Sequence, residues 1–164
     1  MKSSWRRVPQ VYGYYSSMKE IAPYNDPTYR KYGAFMGSAC NFDILRYDDV
    51  LLMKAEALIE LNREAEALPL INEIRTRAKN STNWLKMADG SPISNYKIES
   101  YVDGVNCIWN KDFARKALQF ERRLEFAMEG SRFFDLVRWG IAAETLNNYF
   151  DTEKIRFVFL KDAK

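Results

Sequence analysis

The sequence predicts a mainly α fold: helix pairs, preceded by an irregular N-terminal segment and interrupted by an insert of loops and a β-hairpin. Three observations carry that reading. Apolar residues recur at three- and four-residue spacing from Tyr47 to Leu61, from Ala67 to Ala78, and from Phe113 to Ala127. Only the link "NRE" separates the first two runs, short enough to make them an antiparallel helical hairpin. Turn dipeptides gather between Ser81 and Asn110, where the helical period disappears.

Residues 1–45 hold most of the tyrosines and prolines and no sustained period, so they read as irregular, with short strands such as "NFDIL" just before Arg46. The hairpin occupies 46–79. Its first helix carries a stripe of Tyr47, Leu51, Ala55 and Leu58, widened by Val50, Leu52 and Ile59. Its second buries Ala67, Ile71, Ile74 and Ala78, with Pro69 near its first turn or bending it. The insert spans 80–111. There "KIESYVDGVNCIW" places Asp103-Gly104 between β-branched and aromatic arms, predicting a type I′ hairpin that pairs Val102 with Val105, Ser100 with Cys107 and Ile98 with Trp109. Helices return over 112–150: one from an Asp112 N-cap, with Phe113, Ala117, Phe120, Leu124 and Ala127 inward, ended by Gly130. A shorter one follows from Ser131 to Gly140, then another over Ala142 to Asn148. The tail, 151–164, reads as extended. No clean internal repeat is visible.

Composition excludes several functions. At 164 residues the chain fits one domain or a piece of one, and 29% charged with 47% hydrophobic residues is a globular mixture. The net charge of +3 comes from interleaved acids and bases, which does not argue for nucleic acid. There is no histidine, so the usual nucleophile–His pairs and His-bearing metal sites are absent; Cys40 and Cys107 cannot form a thiol zinc site, and their pairing is left open. No metal and no cofactor are expected. No apolar run is long enough to cross a bilayer, and no signal-peptide core follows Met1.

The densest charge lies in "LQFERRLEFAMEGSRFFDLVRWG", Leu118 to Gly140. Glu121, Glu125 and Glu129 stand at i, i+4 spacing, where like charges repel unless cations face them. A carboxylate pair for glycoside hydrolysis would use two such acids, but those acids ordinarily face each other across a cleft from different elements. The Glu-x-x-His half of a carboxylate-bridged metal site is missing. The reading adopted is an ionic lattice in which Arg46, Arg75, Arg132 and Arg138 reach across to Glu56, Glu125, Glu129 and Asp135, arginine's planar fork holding two carboxylate oxygens at once.

Three stretches carry a resemblance: "ILRYDDVLLMKAEALIELN" from Ile44, "ALPLINEIRTRAK" from Ala67 and "ERRLEFAMEGSRFFDLVRWG" from Glu121. In order, spacing and wording they resemble the C-terminal part of the SusD/RagB family, over about Phe42 to Gly140. The resemblance implies tetratricopeptide-like helix pairs with ligand-binding loops on top. It implies a cell-surface lipoprotein of the outer membrane that binds nutrient oligosaccharide or polysaccharide and sits as a lid over a SusC-like TonB-dependent transporter. It also implies that Arg46, Glu56, Asn72, Arg75, Glu121, Arg122, Glu125, Glu129, Arg132, Asp135 and Arg138 are framework positions rather than ligand contacts. Family members are several times longer and begin with a lipoprotein signal and a lipidated cysteine. The chain is therefore expected to be a C-terminal fragment, with Cys40 no lipid anchor and membrane association only through an anchor absent from this chain.

The family has no fixed motif for the glycan contact. Sugar rings stack their C–H faces on aromatics and use amides or charges for their hydroxyls. The insert offers Trp84, Tyr96, Tyr101 and Trp109 beside Asn83, Asn95 and Asn106, with Trp84 and Tyr101 the leading candidates. Tyr14, Tyr15, Tyr24 and Tyr29 form a second candidate surface. The alternative to glycan capture is a protein-interaction module, the helix pairs forming a groove for a peptide. An enzyme is not expected.

Overall fold

The computed structural model describes Lys19, Tyr29–Tyr32, Phe35–Ser38 and residues 43–161 except Leu85, Ala88 and Ser94. The chain divides into two units, Met1–Ile44 and Leu45–Lys164. In the first, β1 (Tyr29–Tyr32) pairs antiparallel with β2 (Phe35–Ser38), Tyr29 opposite Ser38 and Tyr32 opposite Phe35. Short strands are expected within 1–45 and these two form there, outside the named stretch "NFDIL". Of that stretch Asp43 to Leu45 is not strand, and Asn41 and Phe42 lie outside the described residues.

The second unit is helical. It contains α1 (Tyr47–Glu60), α2 (Glu64–Ser81), α3 (Lys111–Glu125), α4 (Arg132–Arg138) and α5 (Ala142–Arg156), with 3₁₀ turns at Thr82–Trp84 and Val158–Leu160. The architecture is mainly α, built on tetratricopeptide-like helix pairs. The expected extended tail is thus a correction: α5 runs on to Arg156, and a 3₁₀ turn follows.

The α1–α2 hairpin closes where Asn62, at φ 59°, takes the left-handed conformation. The Asn62 amide donates to the Ile59 carbonyl at 3.1 Å and the Arg63 amide to Leu58 at 2.8 Å, the paired bonds of a Schellman cap. Pro69 lies inside α2, which passes through it. Leu51, Leu52, Ala55, Leu58 and Ile59 from α1 meet Ala67, Ile71 and Ile74 from α2, with Ala114, Leu118 and Phe126 completing the core. Tyr47 and Val50, expected in the α1 stripe, are exposed.

The third helix differs more. Its N-cap is Asn110, not Asp112: the Asn110 side chain accepts from the Phe113 amide at 2.9 Å. It ends at Glu125, before turns that lead to Gly130. Its buried face is Ala114, Ala117, Leu118, Glu121 and Arg122, while Phe120 and Leu124 are exposed. The buried face is rotated from the apolar stripe, and Glu121 and Arg122, which share it, meet ionic partners there in Arg75, Asp49 and Asp135.

Candidate functional site

Ion pairs hold the helices together. Ahead of α1, Arg46 donates to Glu125 Oε1 at 2.9 Å, to Glu129 Oε1 at 2.9 Å and to Asp48 Oδ2 at 2.7 Å, and its guanidinium lies 5.0 Å from the Phe126 ring centre. Arg77 of α2 reaches the second Glu125 oxygen at 2.5 Å. Arg122 of α3 bridges Asp49 of α1 at 2.7 Å and Asp135 of α4 at 2.8 Å, and its guanidinium lies 5.1 Å from the same Phe126 ring centre. Arg138 grips both Glu56 oxygens at 2.5 and 2.7 Å and Asp135 at 2.9 Å, and Trp139 Nε1 donates to Glu56 at 2.8 Å. Burial pulls the Arg46 guanidinium down, but the hydrogen bond with Glu125 and the charges of Glu129 and Glu125 leave it raised. Glu125 and Glu129, the pair that a hydrolytic reading would need, are both tied to Arg46.

Arg75 connects this frame to the insert. It pairs with Glu121, donates to the Glu99 carbonyl at 2.5 Å and lies over the Tyr101 ring at 4.3 Å. Burial raises the Glu121 carboxyl against the opposing pull of Arg75. Burial also raises the Tyr101 phenol. Beside them the Asn72 side chain grips the Tyr101 backbone as a neighbouring strand would, donating to its carbonyl at 2.9 Å and accepting its amide at 2.8 Å. Arg132, expected in the lattice, makes no ion pair among the described residues; its guanidinium lies 5.8 Å from the Trp139 ring centre.

The predicted type I′ β-hairpin in the insert does not form: the chain turns at Asp103-Gly104, but of the two only Gly104, at φ 72°, takes the left-handed conformation that type I′ requires of both. The Val105 amide donates to Val102 O at 3.1 Å across Asp103-Gly104, but no strand ladder follows it. Side chains take the bonds a ladder would need: Asn106 Oδ1 accepts the Val102 amide, Asp103 Oδ1 accepts the Trp109 amide, both at 2.8 Å, and Asn72 holds Tyr101. Short Asn and Asp side chains compete with backbone pairing in this way. Cys107, within this loop, is a free, partly buried thiol.

The candidate sugar contacts separate accordingly. Tyr101 and Trp109 are partly buried against the core, in a cluster with Phe113 whose ring centres lie 5.6 to 5.8 Å apart. Trp109 also spends its Nε1 on the Glu64 carbonyl at 2.7 Å. Asn83 and Tyr96 are brought together: with Thr82, Lys86, Pro92 and Asn95 they line an open cleft of about 520 Å³. Tyr96, Thr82 and Asn83 also border a second recess of about 290 Å³, with Lys79 and Glu99. The Trp84 backbone sits in the 3₁₀ turn beside Asn83, and its side chain lies outside the described part; Tyr14, Tyr15 and Tyr24 also lie outside it. Sequence reasoning missed Asp48, Asp49 and Arg77 as lattice members, because nothing in helical periodicity reports which residue stands opposite in another helix.

A helical-repeat frame tied by arginines, with an aromatic and amide-lined cleft on an inserted loop, is the class that fold and site define. The chain belongs to the SusD family, whose model matches residues 5–162. Among curated relatives, SusD-like protein P38 of Formosa agariphila is 38% identical over 106 residues, covering 65% of this chain and 18% of that protein. SusD-like protein P25 of the same organism is 34% identical over 107 residues, covering 64% and 16%. The aligned part is thus less than a fifth of either relative. Among the described residues no helix is long and apolar enough to cross a membrane.

Proposed function

We propose that the protein binds nutrient oligosaccharides without chemical turnover, at the cell surface, and passes them to a SusC-like TonB-dependent transporter. Family membership supports saccharide capture in nutrient uptake as the general role. The observation that carries the reading to particular residues is the cleft on the insert. Tyr96, about two-fifths exposed at 42%, offers a ring face, and Asn83, Asn95 and Lys86 offer donors and acceptors at its rim. A sugar laid on Tyr96 would bury C–H surface and exchange its hydroxyl-bound water for amide partners. The ionic frame holds the loop that carries these groups, through Asn72 and Arg75, and is itself remote from catalysis because its carboxylates are bound to guanidinium.

A glycan array on this chain is the test, followed by calorimetry with the best ligand. Tyr96→Ala should weaken binding about tenfold, the loss of one stacking contact plus its buried area, while the melting temperature stays within a degree or two. Hydrolysis of the bound glycan by pure protein, or Tyr96→Ala binding as tightly as the parent, would overturn the assignment.

A second reading has its own observation. Phe120, Leu124, Met128, Phe133 and Phe134 are large apolar side chains left between 49% and 81% exposed. Such exposure favours a protein-contacting face, as the interaction-module alternative requires. The two readings are compatible if the insert takes the sugar and the helices take the partner.

A further inference from the structure

Every arginine whose side chain the structure describes holds a carboxylate within salt-bridge distance, except Arg123 and Arg132. These two line one cavity of about 500 Å³ with Thr145, Asn148, Tyr149 and Thr152 of α5, and Leu136 and Leu146 supply its apolar wall. Among the described residues no carboxylate lines it. Arg132 Nη1 is buried with no hydrogen-bond partner among the described residues, and so is the hydroxyl of adjacent Ser131. Among the described side chains every other arginine is matched to an acid, so two unmatched ones at a single cavity mark a place where negative charge is to be supplied from outside.

We propose that this cavity binds an acidic saccharide, Arg132 and Arg123 receiving its carboxylate. The inference rests on the saccharide-binding reading and names a charge class for it. Two guanidinium groups fit a carboxylate by forked hydrogen bonds. A lone carboxylate would leave the Thr145, Asn148 and Thr152 groups unused; a polyol ring would engage them, with a face against Tyr149, which is 57% exposed. The volume falls in the range of small-ligand sites, roughly 300 to 1,000 Å³. Burial, followed by the Arg123 charge, lowers the Arg132 pKa, and the Asp135 charge, which Arg122 and Arg138 already bind, only partly opposes them.

The test titrates the chain with glucuronate, glucose and acetate at matched ionic strength, and with the neutral oligosaccharide chosen on the array. Glucuronate should bind best of the three small probes, and Arg132→Met or Arg123→Gln should weaken it about tenfold or more, the loss of a charge-assisted contact. Arg132→Met should melt at or above the parent temperature, since it removes an uncompensated charge; a structural arginine would instead lower it. Tyr96→Ala should keep glucuronate while losing the neutral ligand. Glucuronate no tighter than glucose, with the neutral oligosaccharide still bound, overturns this inference alone. Acetate as tight as glucuronate also overturns it, pointing to a bare carboxylate such as an acidic protein side chain. A melting loss of several degrees in Arg132→Met overturns it too. Failure of every saccharide to bind overturns both readings.

Discussion

Arg122 and Glu121 are neighbours on one helix, both nearly inaccessible to solvent at 5% and 4%, and they do different work. Arg122 satisfies Asp49 and Asp135 together, so Arg122→Met strands a buried Asp135 with Arg138 alone. Truncating one partner of a buried pair costs about 3 to 5 kcal/mol, which urea denaturation should register as a lower midpoint with an unchanged slope. A loss under about 1 kcal/mol would mean that the lattice is ornamental, as solvated pairs are. Glu121 makes stability depend on pH. Its carboxyl is raised from 4.5 by burial, so the folded chain keeps a proton over a window where the unfolded chain has lost it. Stability from this group therefore falls as pH climbs through that window. Glu121→Gln lacks the effect, and its melting temperature relative to the parent should rise as pH is raised from 4.5; a flat or falling difference contradicts the assignment. Neither outcome could be argued from the sequence, where both residues read as members of a charged run.

At the scale of elements, ends were harder to read than existence. Helices were expected near each of the five observed, because apolar spacing reports a buried face whatever covers it. Their caps depended on which side chain could turn back onto an open amide, and Asn110 did so ahead of Asp112. Asn110→Ala should cost about 1 kcal/mol by chemical denaturation. At the end of α4 the Gly140 amide donates to Val137 O and the Ile141 amide to Leu136 O, both at 3.0 Å, with Gly140 at φ 71°. Nothing lies within 4 Å of a Cβ built there, so Gly140→Ala tests backbone conformation without a clash: about 1 kcal/mol is expected, from left-handed strain alone. The insert shows the limit of turn chemistry. "DG" located the turn, but Asn72, Asp103 and Asn106 decided that no ladder would follow it. Hydrogen exchange should therefore find the Tyr101 amide protected in the parent and exposed to exchange in Asn72→Ala, with the core helices unchanged.

Across the whole molecule, what the sequence determined by itself was the helical class, the α1–α2 hairpin with its apolar face, and membership of a recognisable family through three motifs. These are local or linear properties: an apolar period or a motif's order of letters keeps its meaning wherever the chain goes. Only the tertiary structure decided which acid each arginine meets, because residues 83 positions apart, such as Arg46 and Glu129, become partners through packing rather than pattern. It also divided the aromatics of the insert, sending Tyr101 and Trp109 toward the core and leaving Tyr96 on the cleft, since burial depends on what stands opposite. The cavity with Arg123 and Arg132 belongs to the same category. A missing counter-charge is a relation in space, and no order of letters along a chain records it.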